Sequence, residues 1–359
     1  MYVRSIVKKL LLAIITLILA VATFTGVTFA WLSINSDAWV EGMQIQATAG
    51  KGFLVSVDGY NYSSNIAKED IVKAIIIKYR KTYSLDSKGN LLDENNQEIS
   101  DKEMMEIFGE IELEPCTSYD STNLELTNVL GTKVDASKGE FIEFDLYFKS
   151  TGELTKNIDI YLNGLDKVLH QDTEDIQVNP TKFSSGIDEV KLVEDLITIN
   201  KETNESIQMK EDDILKVKSL NASRLGIINQ QGEISIIELT DEYDLGSYAT
   251  NIKDYITPEN DLYDANIEYN AMYDAYTNAM FTYSSQLEDI LTPLDYKKIP
   301  KTIKSLVDGQ GLNTVKVCTL TKTESVQKVT FRFWLEGWDA DCIDGLSKSI
   351  SVQLSFVQQ

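Results

Sequence analysis

Short segments near both ends of the chain alternate strictly between apolar and polar side chains. In 141–149, Ile142, Phe144, Leu146 and Phe148 fall on one face, and polar residues fill the positions between them. A period of two is that of a β-strand with one face buried and the other in contact with water. Half-polar strands of this kind belong to antiparallel sheets that pack one face on a core.

The same alternation recurs towards both termini. It is present at 43–47 and 53–57, and again at 315–320, 329–335 and 350–356. These segments predict a mainly β protein, an antiparallel β-sandwich whose core is filled by Phe, Leu and Ile side chains.

Further strands are predicted between these ends. A polar turn at 150–156 separates the strand at 141–149 from alternating residues at 158–162, which predicts a hairpin. A second strand pair is predicted at 224–228 and 234–239, with a turn containing Gly232.

The middle of the chain has helical periodicity. Residues 259–292 carry one apolar and aromatic stripe and are followed by Pro293, which predicts a single helix. A capped helix is also predicted at 64–80, although its AIII run is compatible with a strand. Shorter helices are predicted at 101–108 and 188–197.

The segments at 85–100 and 170–215 are polar and aperiodic, and are predicted as loops. The sandwich is therefore predicted to span 31–359. It is built from 31–165 and 312–359, with a partly helical insertion at about 166–311.

Residues 1–30 have the composition of a targeting signal. Residues 10–32 contain no charged side chain and follow three basic residues. Thr28 and Ala30 fit a cleavage site between Ala30 and Trp31, and we favour a cleaved signal peptide. The run is also long enough to cross a bilayer as an uncleaved anchor helix. Both interpretations predict an extracellular or cell-surface protein.

Charge and histidine content exclude several functions. The chain has 33 basic and 56 acidic residues, a net charge of −23, so nucleic acid is not an expected partner. Its only histidine excludes a His-x-x-x-His zinc motif, and no nucleophile elbow supports a catalytic triad. No enzyme is predicted, although a hydrolase built from carboxylates alone stays open.

An acidic cluster near the C-terminus is the candidate metal site. It comprises Glu336, Asp339, Asp341 and Asp344, and its spacing does not match an EF-hand. A looser Ca²⁺ site is one interpretation, and a turn between two strands is the other. No other cofactor is expected.

The three cysteines are Cys116, Cys318 and Cys342. Cys318 and Cys342 lie close to two predicted strands of one C-terminal sheet, so they are the candidate disulfide. The odd count leaves at least one thiol outside any intrachain pair.

The segment TFAWLSINSDAWVEGMQIQATAG resembles Gram-positive secreted proteins of the TasA and camelysin type. In those proteins a dedicated signal peptidase cuts after a step that corresponds here to Thr28, Phe29 and Ala30, followed by aromatic Trp31. The resemblance implies a jelly-roll-like sandwich that assembles into biofilm fibres. Assembly by donor-strand exchange would here use about residues 31–49.

Two classes of function follow from these observations. The first is an exported structural protein of the cell surface or extracellular matrix, a fibre subunit that self-assembles by N-terminal strand donation. The alternative is an extracellular binding module for a glycan, peptide or metal, held at the membrane through uncleaved residues 10–32.

Overall fold

The computed structural model describes most of the chain outside its N-terminus and its middle. The described residues are 38–39, 44–50, 52–118, 124–128, 132–168, 176–177, 179–191, 196–200, 205–210, 212–239, 302–303, 305–336, 342 and 350–359. The predicted signal or anchor at 10–32 and the predicted helix at 259–292 lie outside these ranges. Among the described residues, no helix has the length and apolar character needed to span a bilayer.

The secondary structure is mostly strand. The first twelve strands are β1 (Ala38–Trp39), β2 (Gln44–Ala49), β3 (Phe53–Ser56), β4 (Asn65–Ile66), β5 (Ser84–Leu85), β6 (Leu91–Leu92), β7 (Glu112–Leu113), β8 (Pro115–Thr117), β9 (Thr127–Asn128), β10 (Ile142–Ser150), β11 (Ile158–Leu162) and β12 (Lys167–Val168). The remaining strands are β13 (Ile176–Gln177), β14 (Lys182–Ser185), β15 (Asp188–Lys191), β16 (Leu196–Asn200), β17 (Glu205–Met209), β18 (Ile214–Val217), β19 (Ser223–Ile228), β20 (Ile234–Glu238), β21 (Thr302–Ile303), β22 (Lys316–Leu320), β23 (Val326–Glu336) and β24 (Ile350–Gln358).

The described helices are α1 (Lys68–Tyr79), α2 (Asp101–Gly109) and a 3₁₀ turn at Ala136–Lys138. In α1, acidic residues occupy the first turn and Lys78 lies in the last, which complements the helix dipole. In α2, the Ser100 side chain accepts a hydrogen bond from the backbone N–H of Glu103 and caps the helix. The helix predicted at 101–108 is confirmed. The capped helix predicted at 64–80 is confirmed only over Lys68–Tyr79, because Asn65–Ile66 forms β4 and no side chain caps the helix at Ala67.

An eight-stranded sheet, the large sheet, has β10 and β23 at its centre. Its strand order is β21-β20-β19-β23-β10-β3, and β8 with β9 extends it beside the end of β23. β10 and β23 pair antiparallel from Ile142 opposite Phe333 to Lys149 opposite Val326. The alternating residues of both strands are buried on one face, as their sequence pattern predicts.

A six-stranded sheet, the small sheet, has the order β22-β11-β24-β2-β4, and β14 also pairs with β24. Most of its pairs are antiparallel. β2 and β24 run parallel, so this sheet is mixed. The protein is therefore mainly β, with a few helices, rather than purely antiparallel as predicted.

Aromatic rings connect the two sheets through one core. Phe356 of β24 contacts Phe148 edge-on, with ring centroids 5.0 Å apart, and Phe331 at 6.1 Å. Within the large sheet, Phe144 stacks on Phe331 at 5.3 Å. Buried isoleucines of α1 join the same core. A smaller cluster around Trp334 lies on the other side of β23, where Trp334 is 1% exposed.

Two sequence-based predictions of local structure are wrong. β11 does not form a hairpin with β10, because it pairs with β22 and β24 in the other sheet. The helix predicted at 188–197 is contradicted at its described residues, which are strands: β15 pairs with β18, and β16 pairs with β17. Short apolar runs satisfy both periodicities, so the available partner strand decides between them.

The range 166–311, predicted as a partly helical insertion, contributes strands to both sheets. β14 pairs with β24, and β19 pairs with β23. The predicted strand pair β19–β20 is confirmed, with its turn at Gly232, whose φ is +81°. The predicted loop at 170–215 contains β13 to β18, and the one at 85–100 contains β6.

Candidate functional site

β2 is an internal strand of the small sheet and lies between β24 and the two-residue strand β4. The position between these two strands is here called the β2 seat. β2 pairs parallel with β24 from Gln44 opposite Ser351 to Ala49 opposite Phe356. Its other edge pairs antiparallel with β4, where Ala47 lies opposite Ile66. The N-terminal part of the chain thus covers an edge that β24 would otherwise present unpaired.

The seat buries alternate side chains of β2. Ile45 is 4% exposed and Ala47 is 1% exposed, and both belong to the main core, whereas Gln46 between them is exposed. Burial of an isoleucine side chain stabilises the native state by about 1.5–3 kcal/mol. The strand is therefore held by its ladder of hydrogen bonds and by apolar contacts.

Glycines flank the connection from β2 to β3. The Gly50 N–H donates to the Phe356 carbonyl at 2.9 Å, and a Cβ at this position would lie 3.0 Å from that oxygen. Gly52 has a φ of +92°, a conformation that glycine adopts without steric cost. This connection carries the chain from the small sheet into β3 of the large sheet.

The N-terminal segment, here residues 38–49, has a second attachment. β1 pairs antiparallel with β7, with Ala38 opposite Leu113 and Trp39 opposite Glu112. Two separate strand pairings therefore hold the N-terminal segment on the body of the protein.

A network of half-buried charges joins α1 to the outer face of the large sheet. Lys78 Nζ lies 3.0 Å from Glu143 Oε1 and 2.9 Å from Asp145 Oδ2. Arg332 Nε donates to Glu143 Oε2 at 2.7 Å, and Lys328 Nζ lies 2.9 Å from Asp145 Oδ2. The network fixes the C-terminal turn of α1 over β10 and β23.

The electrostatics of this network favour its charged form. Burial opposes ionisation of Asp145, but hydrogen bonds from Thr330, Lys328 and Lys78 outweigh it and lower the pKa of that carboxyl below 3.8. Burial likewise opposes the charge of Lys78, but Asp145 and Glu143 raise the pKa of its ammonium above 10.5. Both groups are therefore charged at neutral pH.

Asp145→Asn is expected to lower the free energy of unfolding by about 1.5–3 kcal/mol at pH 7, because charged hydrogen bonds are lost. Since the native pKa of Asp145 is depressed, its contribution is present above about pH 4 and is lost as the pH falls through the native pKa. Urea unfolding at pH 7 and about pH 2.5 should show the wild-type advantage shrinking in acid. In contrast, Glu106→Gln, which removes an exposed pair with Lys102, should change stability by less than about 0.5 kcal/mol. An equal effect of the two substitutions at pH 7 would contradict the prediction.

Of the predicted metal ligands, the structure describes Glu336 alone. Glu336 is 7% exposed, and its Oε2 accepts a hydrogen bond from Trp334 Nε1 at 3.1 Å. Asp339, Asp341 and Asp344 lie outside the described residues, as do Ala30 and Trp31 of the predicted cleavage site. Within the described ranges, no group of three or more His, Cys, Asp or Glu side chains is arranged to hold a metal.

The predicted disulfide between Cys318 and Cys342 is not formed in the structure, where all three cysteines are thiols. Cys318 lies buried within β22, and burial raises the pKa of its thiol to about 12. Burial also raises the pKa of the Cys116 thiol well above its usual value, and Glu336 and Cys342 add to the effect. Cys342 thus acts electrostatically on Cys116 of β8.

The charge network is not predicted from the sequence. Its members come from three separate parts of the chain: α1, β10 and β23. The signal available was the polar face of each alternating strand, which holds Glu143, Asp145 and Arg332. The helix that carries Lys78 is predicted from the sequence, but its packing against β10 is decided only by the tertiary structure.

Comparison with protein-family models, with curated protein sequences and with solved structures found no match for this chain.

Proposed function

We propose that this chain is an exported structural subunit of the cell surface or extracellular matrix, which assembles by strand donation. In this proposal a signal peptidase cuts between Ala30 and Trp31 and frees residues 31–49, which include the N-terminal segment. The N-terminal segment of one copy then occupies the β2 seat of the next copy. Uncleaved, residues 10–32 keep the subunit on the membrane.

The observation that carries the proposal is the parallel pairing of β2 with β24. Parallel strands cannot be joined by a tight hairpin, so no short turn ties β2 to β24. A β2 strand supplied by a second copy can therefore form the same ladder and bury the same Ile45 and Ala47. Exchange of an identical element between copies keeps the native contacts and is a low-cost route to assembly. The short connection at Gly50 and Gly52 is where the chain would extend into the neighbour.

We further propose that the large and small sheets form a jelly-roll-like sandwich. The support is the contact of Phe356 in the small sheet with Phe148 and Phe331 in the large sheet. Two sheets that share a core in this way give β2 a seat at the rim of a preformed apolar layer.

Strand donation can be tested by mixing two chains that each carry one new cysteine. Gln46 of β2 lies opposite Gln353 of β24. Chains that begin at Trp31 and carry either Gln46→Cys or Gln353→Cys are mixed, incubated and oxidised. Exchange predicts a covalent heterodimer on non-reducing gels, and peptide mass spectrometry should locate the crosslink between positions 46 and 353.

The matched control uses the opposite edge of β24. Lys182 of β14 is also opposite Gln353 but belongs to an internal strand. Mixing Lys182→Cys with Gln353→Cys should give no heterodimer, because β14 has no free end to donate. Equal crosslinking in both mixtures, or none in the first, would refute strand donation. Electron microscopy of the unmodified mature chain then shows whether exchange continues into filaments.

A further inference from the structure

The outer face of the large sheet carries three adjoining depressions. The first has a volume of about 550 Å³ and lies between α1, the turn after β3 and the turn after β5. The second, of about 610 Å³, shares Ile77 and Lys78 with the first. The third, of about 550 Å³, shares Tyr147 with the first. The three neighbouring depressions are together called the outer groove here.

One end of the outer groove is cationic in a strongly acidic protein. The second depression is lined by five cationic side chains and two acidic ones, although the whole chain has a net charge of −23. The cationic residues are Lys78, Lys81, Lys133, Lys138 and Arg332. Such a local excess of cationic side chains favours an anionic ligand at this place over the rest of the acidic surface.

The cations fall into a fixed floor and an open rim. Lys78 and Arg332 form the floor and are held by the half-buried carboxylate of Glu143. The side chains of Lys81, Lys133 and Lys138 at the rim are each 67% exposed. Lys81 and Lys133 pair with exposed carboxylates, and Lys138 pairs with the half-buried Glu140. Ion pairs of exposed lysines contribute little free energy, so an anionic ligand can compete for these three ammonium groups.

The neighbouring depression adds aromatic surfaces and hydrogen-bonding groups. Tyr60, Tyr83 and Tyr147 line it together with Asp58, Asp86 and Asp145. Tyr60 is 87% exposed, and no packing inside the fold accounts for its ring. Aromatic rings offer flat apolar faces on which the C–H faces of sugar rings stack, and carboxylates accept hydrogen bonds from sugar hydroxyls.

We infer that the outer groove binds an acidic polysaccharide. Its sugar rings lie against the tyrosines of the first depression, and its carboxylates pair with Lys81, Lys133 and Lys138 of the second. An extended groove of linked depressions suits a polymer better than a single small molecule. The inference goes beyond strand donation and does not depend on it, because the groove lies on the large sheet and β2 lies in the small one.

The test measures binding of polygalacturonate to the mature chain by isothermal titration calorimetry at about 20 mM salt, where charge pairing is weakly screened. The triple variant Lys81→Glu, Lys133→Glu, Lys138→Glu should bind about tenfold or more weakly, because three attractions become repulsions. The matched control changes Lys102, Lys156 and Lys322, all exposed and outside the groove, to glutamate. It has the same net charge and should retain binding.

A second variant tests the aromatic half of the site. Tyr60→Ala should weaken binding about threefold to tenfold without changing the unfolding transition, because the ring is exposed. Equal loss in both triple variants would overturn the inference, since binding would then follow net charge alone. Equal affinity for neutral dextran or for single-stranded DNA would also overturn it, as would the absence of polygalacturonate binding.

Discussion

Phe356→Ala is expected to lower the free energy of unfolding by about 3–5 kcal/mol. Phe356 is 1% exposed and contacts Phe148 and Phe331, so its ring fills the space between the small and large sheets. Truncation removes the apolar transfer energy of the ring and leaves a cavity that neighbouring rings from two sheets cannot close. Urea unfolding of the mature chain, followed by tryptophan fluorescence, measures the change.

The control for this core prediction is Tyr60→Ala, which removes a ring that is 87% exposed. It should change the unfolding free energy by less than about 0.5 kcal/mol. A loss below about 1 kcal/mol for Phe356→Ala would mean that the two sheets are not joined through this ring.

Ile45→Asp is expected to lower the unfolding free energy by more than about 4 kcal/mol and to abolish the filament formation that we propose. The substitution places a carboxylate at a site that is 4% exposed and opposite Val352. It removes the apolar contribution of isoleucine and adds the cost of burying an unpaired charge. Because every β2 seat is the same, the strand is excluded from its own seat and from that of a neighbour.

Gln46→Asp is the matched control for Ile45→Asp, since it introduces the same side chain one position further along β2. Gln46 is exposed, so its carboxylate stays hydrated, and both stability and filaments should be retained. Similar stability losses for the two variants would show that β2 does not present Ile45 to the core. Filaments formed by Ile45→Asp would rule out β2 as the donated strand.

The strands that alternate over several residues are predicted well from sequence. β10, β23 and β24 lie where the period of two placed them, with the expected faces buried. The helix α2 is also found where its periodicity and its Ser100 cap indicate, and α1 is found where periodicity indicates, although it begins at Lys68 without a side-chain cap. These patterns are local, because the order of apolar and polar residues within one element determines which of its faces is buried.

Strand partners are predicted poorly, because pairing is a property of two distant segments. The sequence suggests a hairpin of β10 with β11, yet β11 joins the other sheet. The parallel partnership of β2 with β24 spans nearly the whole chain, and no local signal marks it. Segments such as β15 and β16, which are too short for an unambiguous period, take the conformation that their neighbours stabilise.

The outer groove, like the strand pairing, could not be predicted from the sequence. Nothing in the sequence distinguishes its lysines and tyrosines from others in the chain, and the net charge of −23 predicts no anionic ligand. Only folding brings the end of α1, the 3₁₀ turn and β23 together, so that like charges gather on one surface.

The sequence by itself determined that this is a mainly β protein, where its principal strands run and which of their faces are buried. Hydrophobic periodicity sets these features residue by residue. Only the tertiary structure decided that the N-terminal strand lies parallel to the last one, with Ile45 and Ala47 in the core. That choice depends on which edge remains unpaired once all the other strands have packed, and no single segment encodes it.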